Sequence, residues 1–136
     1  MKKVLFLCVK NTSRSPMAEA LARQHLEGWE PHSAGINPGK EANPEAVRAM
    51  KEVGCDISRH KPRHISEFQH TKFDLVVKMD VPDVGDFVTA KWIESWNIPD
   101  PANGGPEEFR RVRELLARRL REAAHDPEAD AASRAA

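Results

Sequence analysis

An apolar stretch near the start of the chain, followed at once by a polar loop, most constrains the fold. Residues 3–9 form a short apolar run, which is typical of a strand buried on both faces of a parallel sheet. Residues 10–14 break this run with polar, turn-forming side chains. Ser15 and Pro16 are typical of a helix start, with a hydroxyl at the cap and proline at the first helical position, and Gly28 ends the helix. The chain therefore opens with a buried strand, a tight polar loop and a helix.

Strands and helices alternate along the rest of the chain. The apolar patterns predict strands at 29–34, 73–79 and 92–96, and helices at 44–53, 65–68 and 107–122. In the helix at 44–53, Val47, Met50 and Val53 are expected to face inward. This alternation predicts an α/β three-layer sandwich, a parallel sheet with helices on both faces. Such sheets bind ligands beyond the carboxyl ends of their strands, which is where the polar loop lies.

The composition fits one domain and excludes several classes of protein. The chain has 136 residues, and we predict a single domain at 1–123 with a frayed tail at 124–136. Lys plus Arg and Asp plus Glu are both 21, which excludes a nucleic-acid binder that depends on bulk positive charge. No apolar run approaches the roughly 18 residues of a membrane span, and the first apolar run is too short for a signal peptide. Two cysteines make no disulfide scaffold, so a reducing, cytoplasmic location is expected.

The loop after the first strand carries the residues expected to do chemistry. Cys8 faces the amino terminus of the helix, where the helix dipole and free N–H groups favour a thiolate that is nucleophilic near neutral pH. The loop N–H groups can surround a tetrahedral oxyanion, and the planar guanidinium of Arg14 can hold two of its oxygens. The predicted oxyanion-binding residues are Val9, Lys10, Asn11, Thr12, Ser13, Arg14 and Ser15.

Two loop side chains have further expected roles. Asn11 tolerates the left-handed backbone that such loops often need, and its amide is expected to fix the shape of the loop. Ser15 is expected to donate a hydrogen bond to the thiolate of Cys8. In the alternative interpretation Cys8 is only a small core residue, but its C-x5-R spacing to Arg14 between a strand and a helix favours the oxyanion loop.

Asp100 is the candidate general acid. A cysteine that attacks an oxyanion centre needs an acid to protonate the leaving oxygen, and Asp100 lies between Pro99 and Pro101 after the predicted strand at 92–96. Asp-Pro is also common in plain turns, so this assignment depends on the loop that carries Cys8.

Other suggestive residues are interpreted as structural. His60 and His64 are four residues apart, but Pro62 lies between them and no third ligand is evident, so a solvated loop is predicted and no metal site. Trp92 and Trp96 are candidates for the substrate entrance or for packing at the edge of the sheet.

At this point the sequence resembles the low-molecular-weight protein-tyrosine phosphatase superfamily, and within it the arsenate reductases of that fold. The resemblance runs from about residue 2 to 121 and lies in the segments 4–20, 33–35, 54–58, 74–77 and 96–101. It implies a four-stranded parallel sheet with helices on both faces. It also implies Cys8 as nucleophile, Arg14 as anion clamp and Asp100 as general acid.

The residues after Asp100 resemble the reductase branch more than the phosphatase branch. The phosphatases usually have tyrosines there, whereas this chain continues Ala-Asn-Gly-Gly and contains no tyrosine. The function implied is reduction of arsenate. The alternative is hydrolysis of a phosphate ester through a phosphocysteine intermediate.

The cysteine count implies how such a reductase is regenerated. Thioredoxin-coupled reductases of this family have two further cysteines after the third strand, where residues 79–86 here have none. Cys55 is interpreted as a core residue. An external small thiol, mycothiol or glutathione, is therefore the expected co-substrate, with a redoxin as candidate partner and no bound cofactor. Asn11, Glu19 and Ser33 match positions that hold potassium in some reductases, but Arg63 stands where an acidic residue is usual.

Overall fold

The computed structural model describes residues 1–123, so the predicted tail at 124–136 lies outside the described residues. The elements are β1 (Lys2–Cys8), α1 (Arg14–His25), β2 (Trp29–Gly35), α2 (Pro44–Lys51), a short 3-10 helix (Ile65–Phe68), β3 (Lys72–Lys78), β4 (Thr89–Ser95) and α3 (Pro106–Ala123). The four strands form one parallel sheet in the order β2-β1-β3-β4. The predicted four-stranded parallel α/β fold is confirmed.

The sheet brings the carboxyl ends of three strands to one edge. Cys8, the last residue of β1, is paired with Gly35, the last residue of β2. Leu7 is paired with Lys78 at the end of β3. Because parallel strands all end at this edge, the segments that leave β1, β2 and β3 lie next to one another.

Alternate residues of β1 supply the two hydrophobic cores. Val4 and Phe6 belong to the core shared with α1, α2 and α3. Leu5 and Leu7 point to the other face, which the 3-10 helix and part of the segment 79–88 cover. Three α-helices thus cover one face and a shorter helical turn covers the other. This double burial explains why β1 is apolar along almost its whole length.

Most predicted boundaries lie within one residue of the structure, and the differences at α1, α2 and β4 have physical causes. Helix α1 begins at Arg14, and Ser13 rather than Ser15 occupies its cap without a side-chain hydrogen bond. The predicted capping role of Ser15 is therefore wrong. Helix α2 ends at Lys51, so Val53 is 37% exposed instead of facing inward. Strand β4 begins at Thr89, because its first residues extend the pairing with β3.

The tryptophans pack against the core. Trp96 is buried, its ring lies 5.9 Å from that of Phe6, and the guanidinium of Arg119 lies 5.0 Å from its centroid. Trp92 packs against the same core from the edge strand. Of the two interpretations offered for these residues, the structure supports packing at the sheet edge. Among residues 1–123, no helix is long and apolar enough to cross a membrane.

Candidate active site

The loop between β1 and α1 is held open by the segment that follows β2. The carbonyls of Val9, Lys10 and Thr12 accept hydrogen bonds from backbone N–H groups in the segment 37–43, at 2.8, 3.0 and 2.8 Å. All peptide bonds of the described chain are trans, so each carbonyl points away from the N–H group that follows it. The N–H groups after these carbonyls therefore point away from this segment and make no hydrogen bond to it.

Gly35 allows this close approach. A Cβ at this position would lie 2.6 Å from the carbonyl oxygen of Val9 and 3.0 Å from the amide nitrogen of Asn11. Both are backbone atoms, so neither can move without displacing the loop. Only glycine leaves space for the loop beside the end of β2.

Replacing Gly35 by alanine is expected to lower the free energy of unfolding by about 2 kcal/mol, because the added methyl group overpacks a backbone contact. Gly105→Ala is the matched control, since a Cβ there meets nothing within 4 Å. Urea unfolding of both variants measures the difference. Equal stability of the two variants would contradict the tight packing of the loop against β2.

Cys8 and Arg14 face a small cavity at the mouth of the loop. The cavity has a volume of about 170 Å³ and is lined by Cys8, Val9, Lys10, Thr12, Ser13, Arg14, Asp80, Asp100 and Ala102. Pockets for drug-sized ligands are usually about 300–1,000 Å³. This cavity is therefore suited to a small polar group such as a tetrahedral oxyanion.

The guanidinium of Arg14 is oriented by three groups. Its side chain is only 4% exposed, and Nη1 donates to the carbonyl oxygen of Ile98 at 3.0 Å. Nη1 also lies 3.5 Å from Oδ2 of Asp80, and Nη2 lies 3.8 Å from Oδ2 of Asp100. A buried cation needs such partners, and these contacts fix the planar fork at the cavity.

Asp100 lies at the rim, as the sequence predicts. Its Oδ1 accepts a hydrogen bond from the N–H of Ala102 at 3.0 Å, while Oδ2 faces Arg14. Its side chain is 54% exposed, so a proton can be exchanged with solvent. The structure brings Cys8, Arg14 and Asp100 to one cavity, and their chemical roles stay predictions.

Asp80 is a residue of the cavity that sequence reasoning missed. It follows Met79 just after β3 and has a φ of +65°, a left-handed conformation that aspartate tolerates better than most residues. Asp80 comes just after a strand that pairs with β1, and parallel strands end at the same edge of the sheet. This position in the sequence could have indicated that Asp80 lies near Cys8. Asp80 adds a second carboxylate beside Arg14.

Ser15 and Asn11 support the sulfur of Cys8. Ser15 Oγ lies 2.9 Å from Cys8 Sγ, and Asn11 Nδ2 donates to Ser15 Oγ at 2.8 Å. Asn11 has the predicted left-handed backbone, with a φ of +56°, and is fully buried. The sequence-based expectations for the placement of both side chains agree with this geometry.

The loop that carries His60 and His64 is mostly exposed, as predicted, but His60 itself is half-buried, so the prediction is wrong for that side chain. Its Nε2 lies 3.0 Å from the carbonyl oxygen of Asn11 and 3.1 Å from Oδ1 of the same residue. The segment after α2 folds back onto the end of β2, where the N–H of Gly35 donates to the carbonyl of Arg63. His64 stays exposed and contacts Ser66, so the two histidines do not converge.

The residues that match potassium positions are already paired with other groups. Ser33 donates to Glu19 Oε1 at 2.6 Å, and Arg23 pairs with Glu19 Oε2 at 2.6 Å. Arg23 and Arg63 line the same cavity as Glu19, and their two positive charges disfavour a cation there. Within residues 1–123, no group of three His, Cys, Asp or Glu could hold a metal ion.

Cys55 lies in the core that α1, α2 and α3 share. It is 8% exposed, and burial raises the pKa of its thiol, which disfavours the reactive thiolate. Its placement agrees with the interpretation as a small core residue.

A family model described as low molecular weight phosphotyrosine protein phosphatase matches residues 3–132. The chain belongs to this family. This match confirms the resemblance that the sequence analysis found in the loop and around Asp100. The chain is an enzyme of one of the two kinds predicted, a phosphatase or an arsenate reductase.

Relatives in this family include reductases and phosphatases. An arsenate reductase of Bacillus subtilis (strain 168) is 41% identical over 132 residues, which cover 89% of this chain and 94% of that protein. The structure of an arsenate reductase in the phosphate-binding state has a TM-score of 0.82 and 33% identity, and covers 91% of this chain and 97% of that chain. A serine variant of the arginine phosphatase YwlE, with a phosphorylated active-site serine, has a TM-score of 0.75 and 26% identity, and covers 90% of this chain and 93% of that chain.

Proposed function

We propose that this enzyme reduces arsenate, with Cys8 as the nucleophile and an external small thiol as co-substrate. The observation that carries the proposal is the small cavity where the buried guanidinium of Arg14 faces Cys8 beneath the carboxylate of Asp100. No aromatic side chain from the described residues lines it, so nothing there would stack on a phosphotyrosine ring. Several curated relatives are named arsenate reductase, which supports the same choice.

In the first step, the thiolate of Cys8 attacks the arsenic of bound arsenate. An S–As bond forms, one As–O bond breaks, and Asp100 protonates the departing oxygen so that it leaves as water. Arg14 and the loop N–H groups hold the remaining oxygens while charge builds on them. Arsenic stays in the +5 state, because no electrons have yet been transferred to it.

In the second step, the external thiol attacks arsenic and takes it from Cys8, which leaves as the thiolate. Reduction follows outside this chain, when a second thiol attacks the sulfur of the arsenic adduct. A disulfide forms, the electron pair of the S–As bond stays on arsenic, and arsenite is released. The chain supports an external donor because Cys55, its other cysteine, lies in the core with a raised pKa.

The second candidate is hydrolysis of a phosphate monoester. The similarity to a phosphatase structure with a phosphorylated active-site serine favours it, as does the name of the family model. In that reaction Cys8 would attack phosphorus, the ester P–O bond would break, and Asp100 would protonate the departing oxygen so that the alcohol leaves. Asp100 would then activate a water that attacks the phosphocysteine and releases phosphate and the Cys8 thiolate.

Paired assays on the purified protein separate the two candidates. One contains arsenate with mycothiol or glutathione and the matching redoxin, and the other contains an aryl phosphate. We expect arsenite formation that depends on the small thiol, with slow release of phosphate. Fast release of phosphate without any arsenite would replace the reductase with the phosphatase.

A further inference from the structure

The cavity at Cys8 has room for an oxyanion but not for the thiol that attacks the adduct. Its volume is about 170 Å³, below the roughly 300–1,000 Å³ of pockets that hold drug-sized ligands. The second step of the reaction brings an external thiol to arsenic while arsenic is still bound to Cys8. The body of that thiol must therefore lie on a neighbouring surface that leads into this cavity.

A second cavity adjoins the first at Asp80, which lines both of them. The second cavity has a volume of about 360 Å³ and is also lined by Lys78 and by Ile98, whose carbonyl accepts the hydrogen bond from Arg14. The side chain of Asp80 is 77% exposed and lies 3.5 Å from Arg14. The two cavities thus meet beside Arg14, at an exposed side chain rather than at a packed wall.

A third cavity continues the second at the end of β4. Ser95 and Asn97 line both of these cavities. The third has a volume of about 450 Å³ and reaches the last turns of α3, where its lining includes Arg118, Arg119 and Glu122. We call the second and third cavities together the outer groove. This groove leads from the active-site cavity past the ends of β3 and β4 to α3.

The outer groove contains positive charges that the described residues leave without a carboxylate partner. The first three arginines of α3 all pair with glutamates: Arg110, Arg111 and Arg113. Later on the same helix, neither Arg118 nor Arg119 pairs with a carboxylate of residues 1–123, and Arg119 instead lies over the ring of Trp96. Lys78 has no carboxylate partner in this part of the chain either. Cations left unpaired along one groove attract an anionic ligand.

We propose that the outer groove binds the thiol co-substrate, and that this thiol carries two carboxylates and an ammonium group, as glutathione does. Lys78, two residues before Asp80, matches one carboxylate. Arg118 and Arg119 match the carboxylate of the γ-glutamyl end, and Glu122 matches the ammonium group beside it. The assignment rests on the proposed function, since the bound thiol is the one that takes arsenic from Cys8.

Charge also separates the two thiols considered for this enzyme. Mycothiol carries amide groups and sugar hydroxyls but no carboxylate, so unpaired cations contribute little to its binding. A carboxylate on Lys or Arg forms charge-assisted hydrogen bonds, which are stronger than those between neutral groups. The outer groove therefore favours glutathione over mycothiol.

The first test compares glutathione with its diethyl ester, which has the same thiol but no free carboxylate, as the donor for arsenite formation. We expect wild type to have a KM for glutathione about tenfold below that for the ester, the effect of two partly exposed ion pairs. In the double variant Lys78→Gln/Arg118→Gln, the KM for glutathione is expected to rise about tenfold and the preference over the ester to disappear. The effect should lie in KM rather than kcat, because the groove holds the body of the thiol and not the reacting atoms.

Arg121→Gln is the matched control for the double variant. Arg121 is exposed on the same helix and lies outside the lining of the groove, so this variant loses a charge and is expected to keep the wild-type KM. If the double variant does not fold, as judged by circular dichroism, Arg118→Gln alone takes its place, because Arg118 is exposed. We then expect a rise of about threefold.

The second test measures binding without any reaction. S-methylglutathione, which has no free thiol, is titrated into the protein in the presence of inorganic phosphate, and binding is followed by NMR chemical shifts. We expect the Kd to rise about tenfold in the double variant and to stay unchanged in Arg121→Gln. This binding does not depend on whether the enzyme acts on arsenate or on a phosphate ester.

The two tests distinguish failure of the groove from failure of the proposed function. Equal KM values for glutathione and its ester in wild type would overturn the groove even if arsenite is formed, and so would an unchanged KM in the folded variant. Turnover with mycothiol but not with glutathione would also overturn it and leave the reductase intact. If no thiol supports arsenite formation, the proposed function fails. Weaker binding of S-methylglutathione by the double variant would then still support the groove, and absent or unchanged binding would refute it.

Discussion

Replacing Cys8 by serine is expected to abolish turnover, by about ten-thousandfold or more, while the protein still binds inorganic phosphate. The loop amides and Arg14 remain, so the oxyanion cavity stays formed. The serine hydroxyl does not ionise near neutral pH and is a much poorer leaving group than a thiolate, so an adduct on serine forms slowly and is not turned over. Arsenite formation and phosphate release measure the rate, and calorimetry with inorganic phosphate measures binding.

Cys55→Ser is the matched control for this substitution. Its thiol lies in the core, so the change should cost about 1–3 kcal/mol of stability from a buried hydroxyl and leave the rate within a fewfold of wild type. If Cys8→Ser kept wild-type turnover, or if Cys55→Ser lost turnover to the same extent, Cys8 would not be the nucleophile.

The part of the site that could be predicted from sequence is the part that is local in sequence. Cys8 and Arg14 lie within one strand-loop-helix segment, whose apolar run and polar break determine where both residues lie. Even in this segment, the helix cap was wrongly assigned to Ser15. A serine at this position can cap the helix with its hydroxyl or place that hydroxyl beside the sulfur of Cys8, and the sequence pattern is the same for both roles. Only the position of the Cys8 sulfur separates the two roles.

The residues that are far from Cys8 in sequence were harder to place, because long-range packing brings them to the site. His60 was taken for a solvated residue, since nothing in its neighbourhood shows that the chain after α2 folds back onto the end of β2. Asp80 stayed unassigned because its position depends on the pairing of β3 with β1. Asp100 was identified only because the chemistry of Cys8 requires an acid, and a turn at this position would look the same in sequence.

Replacing Arg14 by lysine is expected to lower kcat/KM by about a thousandfold, although the charge is conserved. The guanidinium donates to the carbonyl oxygen of Ile98 and contacts the carboxylates of Asp80 and Asp100, so its plane is fixed where it lines the cavity. Lysine is a point charge with no such fork and cannot hold two oxygens of the oxyanion in that plane. Both kcat and the affinity for inorganic phosphate should fall, and steady-state kinetics with calorimetry measure the two effects.

Arg23→Lys is the control on the same helix. Arg23 is 59% exposed and pairs with Glu19 one turn away, so either cation can serve there. We expect its kinetics to match wild type. A loss of less than tenfold in Arg14→Lys would mean that positive charge alone, rather than the planar fork, stabilises the oxyanion. Arg14 would then act as an electrostatic neighbour of Cys8, and the loop amides would carry the recognition of the tetrahedral anion.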